Sequence, residues 1–143
     1  MDARGTYIHY GNTKFDPNRG FPIKNSSRSY NKPKGGLWAS PIDCEHSWKD
    51  WCEAEDFREC DDEDAFIFRL KPGATIMYIN GEESAEQLYP YLFSEPSFLG
   101  SFHEGIDFEK LTRDGWDGLE INLRSLYCNR RLWDVFYGWD CDS

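Results

Sequence analysis

The chain has 143 residues, the length of one domain over 1–143 and enough to bury a real core. Its net charge of −10 and pI of about 4.7 repel phosphate backbones over a Debye length of roughly 8 Å, which disfavours non-specific nucleic-acid binding while leaving room for a local basic strip. Aromatic residues make up 17% of the chain, which excludes disorder for most of it and supplies flat surfaces on which a ring-shaped ligand can stack.

Thr6-Tyr7-Ile8-His9-Tyr10 reads as a first strand, closed by Gly11-Asn12. Period-two alternation puts Tyr7 and His9 on one face and Ile8 and Tyr10 on the other. A lone strand histidine is by default a hydrogen-bonded one. Its place beside a glycine at a strand end makes it a ligand candidate.

Residues 12–34 are polar and punctuated by proline, glycine and asparagine. They carry Lys14, Arg19, Lys24, Arg28, Lys32 and Lys34, six of the sixteen basic residues, and only Asp16 opposes them. A basic loop in an acidic protein is either a plain surface loop or a phosphate clamp.

The segment Gly35-Gly36-Leu37-Trp38-Ala39-Ser40-Pro41 is expected to be a short strand. Two glycines free the backbone at its start, and Pro41 is expected to stop the ladder because it has no N–H to donate. Such a strand lets a ligand approach its backbone closely, although an ordinary buried strand has the same appearance. Trp48, Trp51, Cys52 and Phe57 then share a helical stripe, with Ser47 as the expected cap. Positions 58–64 hold five acidic residues and read as a solvated turn.

Residues 65–70 and 75–79 read as a hairpin joined by Lys71-Pro72-Gly73-Ala74. A short helix is expected from Ser84, with Gln87 in the capping-box position. Residues 90–108 read as irregular and aromatic, with a helical turn at 108–111 beneath Trp116. Gly118-Leu119-Glu120-Ile121-Asn122-Leu123 alternates as a strand that sends Glu120 and Asn122 to one side. Taken on alternation alone, Glu120 is either a solvent-facing charge or a site carboxylate. The tryptophan-rich tail over 127–140 forms a last helix or strand.

The five cysteines are odd in number and contain no C-x-x-C pair, a poor framework for disulfides or zinc. No apolar leader opens the sequence and no run approaches the roughly 20 apolar residues that span a bilayer. A soluble, thiol-reduced, cytoplasmic protein is expected, with no metal and no membrane partner.

His on the first strand, an aromatic-plus-Ser strand some thirty residues later and a strand Glu about eighty residues beyond form a familiar order. The pieces are His9-Tyr10-Gly11, Gly36-Leu37-Trp38-Ala39-Ser40 and Leu119-Glu120-Ile121. In this order the chain resembles the ADP-ribosyltransferase superfamily, in its branch with a His, aromatic and Glu signature. The resemblance implies an α+β fold of split antiparallel β-sheets flanked by short helices. It implies transfer of ADP-ribose from NAD, as co-substrate, to a macromolecular acceptor with release of nicotinamide. A protein acceptor stands ahead of nucleic acid, and the setting ranges from toxin or phage effector to housekeeping enzyme.

Carried over by residue, the resemblance makes Glu120 the catalytic carboxylate that steadies positive charge on the ribose. His9 meets ribose hydroxyls, Trp38 stacks on nicotinamide, Ser40 supports Glu120 or the ribose, and Tyr10 and Gly11 close the strand end, with the Gly11 backbone near the carboxamide. Arg19, Lys24 and Arg28 neutralise the pyrophosphate. Two departures from the family pattern stand out. Trp38 replaces the usual Tyr and so removes a phenolic hydroxyl, and Gly118 stands where arginine-modifying members carry Glu.

Three other readings compete. A non-enzymatic acidic inhibitor would occupy a partner's basic groove with its clusters at 53–64 and 82–86. The same fold can also hydrolyse NAD or transfer a 2′-phosphate from RNA. A cysteine hydrolase built on Cys44 and His46 lacks an evident base–orienter pair.

Overall fold

The β-branched and aromatic residues Thr6–Tyr10 form strand β1, as their composition predicts. The structure is a computed structural model that describes residues 5–11, 14–16, 22–26, 31–42, 44, 48–56, 64–96, 102–124, 129–136, 139 and 143. Within these, β1 is the middle of three antiparallel strands, between β4 (Ser40–Pro41) and β5 (Ala65–Arg69). Tyr7 lies opposite Phe68 and His9 opposite Phe66, so all four side chains share a face. Tyr7 stacks on Phe68 with ring centroids 5.6 Å apart, and His9 leans on Phe66 at 5.1 Å.

Only the last two residues of the expected strand over 35–41 are paired. Gly35 and Gly36 have φ of +88° and +90°, a region that favours glycine, so the chain turns there before Leu37. Pro41 does not end the pairing, because the Ile42 N–H donates to the Thr6 carbonyl at 2.9 Å. β4 is an edge strand, where proline is tolerated.

The expected hairpin over 65–79 does not form. Its turn does: the Ala74 N–H donates to the Lys71 carbonyl at 3.0 Å, with Gly73 at φ +87°. The turn then sends β6 (Ile76–Ile79) away from β5 to pair in parallel with β9 (Gly118–Ile121). Burial explains the separation. Ile76, Met77 and Ile79 are buried, whereas Ile67 in β5 is 59% exposed, so the two strands do not share a buried face.

Parallel pairing needs a long crossover. Here it comprises α2 (Glu82–Ala85), a 3₁₀ turn at Tyr89–Tyr91, the hairpin β7 (Leu92–Pro96) and β8 (Phe102–Ile106), and α3 (Phe108–Arg113). The hairpin replaces the irregular segment expected at 90–108. Pro96, Gly105 and the interleaved acids hide its alternation in the sequence. α2 starts before the expected cap: Ser84 sits inside it and its hydroxyl accepts from the Asn80 N–H at 2.9 Å.

Among the described residues the remaining α-helices are α1 (Trp48–Ala54) and α4 (Arg130–Val135). The expected cap Ser47 lies outside the described residues. Met77, Ile79, Leu88, Ile106, Phe108, Leu111, Ile121, Leu132, Val135 and Phe136 form one buried cluster around the parallel pair. Antiparallel sheets, one parallel pair and short helices make the class α+β.

A small ladder of β2 (Lys24–Asn25) and β3 (Pro33–Lys34) is clasped to the start of α3. The Asn25 amide donates to Asp107 Oδ1 at 2.9 Å, and its carbonyl oxygen accepts from the Phe108 N–H at 2.7 Å. Asp107 also caps α3 by accepting from the Lys110 N–H at 3.1 Å.

Candidate functional site

The two main sheets meet where β1 faces β9. There the Tyr7 phenol donates to Glu120 Oε1 at 2.5 Å, across 113 residues of chain. Glu120 is only 6% exposed, because β9 is covered on both faces and is not the half-solvated strand that alternation implied.

Beside this pair opens a cavity of about 610 Å³. That volume is of the size that takes a small ligand. Its wall carries Tyr7 and Phe68 from the first sheet and Leu119 and Glu120 from β9, while Trp38, Trp116 and Trp139 add indoles. Trp38 is 39% exposed at the mouth, and the buried Trp139 stands edge-on to it at 4.8 Å. Trp139 is itself held by donating to the Asn31 carbonyl at 2.7 Å.

His9 reaches the site through the backbone. Its Nδ1 donates to the Trp38 carbonyl at 2.6 Å, fixing the segment that carries the indole. His9, Trp38 and Glu120, scattered in sequence, are thus joined by one contact and one cavity.

Other expected site residues stand elsewhere. Ser40 is buried but outside the cavity wall, and its hydroxyl accepts from the Trp48 N–H at 3.1 Å, so it serves the start of α1. Neither Tyr10 nor Gly11 lines the cavity, and the Gly11 N–H is engaged by the Asp64 carbonyl at 2.7 Å. Lys24 points to α3, 4.0 Å from Glu109 Oε1, because its ladder is clasped there. Arg19, Arg28 and His46 lie outside the described residues.

Among the described residues, the charged ones on the cavity wall besides Glu120 are Arg69, Lys71 and Asp117, which flank the exit from β5 and the entry to β9. Sequence reasoning passed over Arg69 and Lys71, since nothing in 65–79 read as a hairpin sets them apart. It also passed over Tyr7, although its two-residue spacing from His9 was the available signal. Trp139 had no signal at all, because its approach to Trp38 is purely tertiary.

No protein-family model, curated protein or solved structure matches this chain. Its chemistry therefore rests on the cavity itself.

Tyr91 and Asp107, which do not line the cavity, titrate away from their ordinary values. Tyr91 donates to the Asp114 carboxylate at 2.7 Å and accepts from Trp116 Nε1 at 3.1 Å, which pins the Trp116 ring. The bond to Asp114 pushes the phenol above its ordinary pKa, with burial adding to the effect. Asp107 is held below the ordinary carboxylate value, chiefly by the Asn25 amide. Among the described residues no group of three or more His, Cys, Asp or Glu side chains is placed to hold a metal, and no helix is long and apolar enough to cross a membrane.

One buried carboxylate, an aromatic mouth and a cationic flank can hold a ring, a sugar and an anion in sequence.

Proposed function

We propose that the chain is an ADP-ribosyltransferase-like domain that cleaves NAD at the nicotinamide–ribose bond and passes ADP-ribose to an acceptor, a protein ahead of a nucleic acid. The observation that carries this reading is that Trp38 and Glu120, from distant segments, line one cavity whose mouth His9 secures.

In this reading Trp38 stacks on the nicotinamide and holds it still while the bond lengthens. Glu120 faces the sugar as positive charge grows on the ribose carbon, the same demand that glycoside cleavage makes on a carboxylate. Burial keeps water from screening that interaction. Arg69 and Lys71, on the cavity wall, meet the pyrophosphate, a role for which Lys24 is turned away toward α3. NAD supplies the leaving group and the ADP-ribose, and the acceptor or water supplies the nucleophile. The antiparallel β4-β1-β5 sheet would then be one half of the superfamily's split architecture, while the β6–β9 pair, being parallel, departs from the antiparallel sheets expected.

The deciding experiment measures nicotinamide release from NAD by the purified protein and by Glu120→Gln. The variant is expected to lose about 10²–10³ in rate with an unchanged circular-dichroism spectrum. A silent wild type, or equal turnover in the variant, would refute the reading. Labelled NAD in a lysate then reports the acceptor.

A second reading draws on the exposed carboxylates Glu53, Glu55 and Asp56 at the end of α1 and Glu82, Glu83 and Glu86 on and just after α2, none of which lines the cavity. An acidic inhibitor would lose activity when these are neutralised and keep it when Glu120 is changed.

A further inference from the structure

We infer that Tyr7 is a positioning residue for the Glu120 carboxylate and brings to this cavity the phenolic hydroxyl that Trp38 lacks. The inference rests on the ADP-ribosyl transfer reading above and goes beyond it, because the family order of His, aromatic and Glu gives this position no role.

The geometry is specific. The Tyr7 hydroxyl donates to Glu120 Oε1 at 2.5 Å, and both side chains line the cavity. Both are buried, at 7% and 6% exposure. A glutamate has three rotatable side-chain bonds and will not hold one orientation unaided. A donor on Oε1 selects one rotamer and aims the plane of the carboxylate.

That donor is itself held rigidly. Tyr7 sits on the middle strand of its sheet, paired to Pro41 on one side and Phe68 on the other. Its ring stacks on Phe68 at 5.6 Å, which limits rotation about the ring's own bonds. The hydroxyl is therefore carried by a strand and not by a loop. A hydrogen bond to an ionised oxygen is about twice as strong as one between neutral groups, so the contact serves the carboxylate form that opposes a sugar cation.

The bond also joins the two sheets that frame the cavity. Losing it takes away a strand-borne donor from Oε1 while leaving the His9 contact at Trp38 in place. The consequence falls on turnover and not on NAD capture, which is the mark of a positioning role.

The test measures nicotinamide release at varied NAD for wild type, Tyr7→Phe, Glu120→Gln and the double variant. Tyr7→Phe keeps the ring and its stack on Phe68. Rates are referred to the NAD-binding fraction of each sample, so that a partly unfolded variant still reports. Tyr7→Phe is expected to lower kcat by about tenfold to a hundredfold and to move KM by less than about threefold. In the Glu120→Gln background the same change is expected to alter the residual rate by less than about twofold, because the two residues act as a unit. Equal losses in both backgrounds, or a loss confined to KM, overturn the inference while leaving the transfer reading intact. A wild type that releases no nicotinamide sinks the reading and the inference together.

Discussion

His9 Nδ1 lies 2.6 Å from the carbonyl oxygen of Trp38, so the histidine acts on the backbone of the aromatic residue and not on its ring. A carbonyl can only accept, which assigns the proton to Nδ1. The contact ties β1 to the segment between the two positive-φ glycines and β4. Removing it loosens the mouth of the cavity while leaving Glu120 and Tyr7 in place. His9→Ala is expected to weaken NAD binding by about fivefold to tenfold, the worth of one hydrogen bond. His9→Asn, whose amide nitrogen falls near the Nδ1 position, is expected to recover most of the loss. Calorimetric titration with NAD reads both, and an unchanged Kd in His9→Ala would contradict this role.

Trp38 makes the opposite kind of contribution. It is 39% exposed, and its contact with Trp139 is edge-on at 4.8 Å, so little of the core depends on it. Trp38→Ala is expected to shift the melting temperature by less than about 2 °C, as surface substitutions do. NAD affinity is expected to fall by about tenfold, the loss of one aromatic stack. Trp38→Phe retains a flat ring and is expected to lose less than Trp38→Ala. A large melting shift with normal affinity would make Trp38 a packing residue.

What the sequence disclosed depended on whether the signal was local. The β1 strand, the two turning glycines at 35 and 36, the Pro-Gly turn and α3 beneath Trp116 all follow from residues close in the chain. The partner of β6 does not. Its choice between β5 and β9 depends on which strand shares its buried face, and that is settled by the core around Met77, Ile79 and Ile121. The hairpin at 92–106 was hidden by Pro96 and Gly105, which strands tolerate but propensity penalises. At the site, alternation paired Tyr7 with His9, yet only the tertiary fold gives Tyr7 its carboxylate partner. Ser40 shows the reverse error: a residue that fitted the motif spends its hydroxyl on capping α1.

The clasp between β2 and α3 predicts an acid-dependent stability. Asp107 accepts from the Asn25 amide at 2.9 Å and from the Lys110 N–H at 3.1 Å. Asn25 is the leading cause that holds this carboxyl below its ordinary value of 3.8. A folded pKa below the unfolded one stabilises the fold fully above the ordinary value, and this contribution is lost as pH falls through the lowered one. Asp107→Asn keeps an acceptor but has no charge to lose. Urea unfolding at pH 6 is expected to find it less stable than wild type by about 1 kcal/mol, the usual worth of such a cap. The gap is expected to shrink by pH 3. A gap independent of pH would mean that Asp107 contributes shape alone.

Gly118 is the register partner of Ile76 in the parallel pair, and it lines the cavity. A Cβ at this position would stand 2.8 Å from Ile76 Cδ1, closer than real Cβ contacts come. Ile76 is buried on the cavity wall, so its terminal methyl must turn toward that space to make room. Gly118→Ala is therefore expected to cost about 1–3 kcal/mol as an overpacked core position. Ile76→Val removes the obstructing methyl and costs about 0.5–1.5 kcal/mol by itself. Combined, the two substitutions are expected to cost at least about 1 kcal/mol less than their sum, since each relieves the other. Denaturant unfolding of the four proteins measures that coupling, and strict additivity would show that something other than Ile76 keeps this position a glycine.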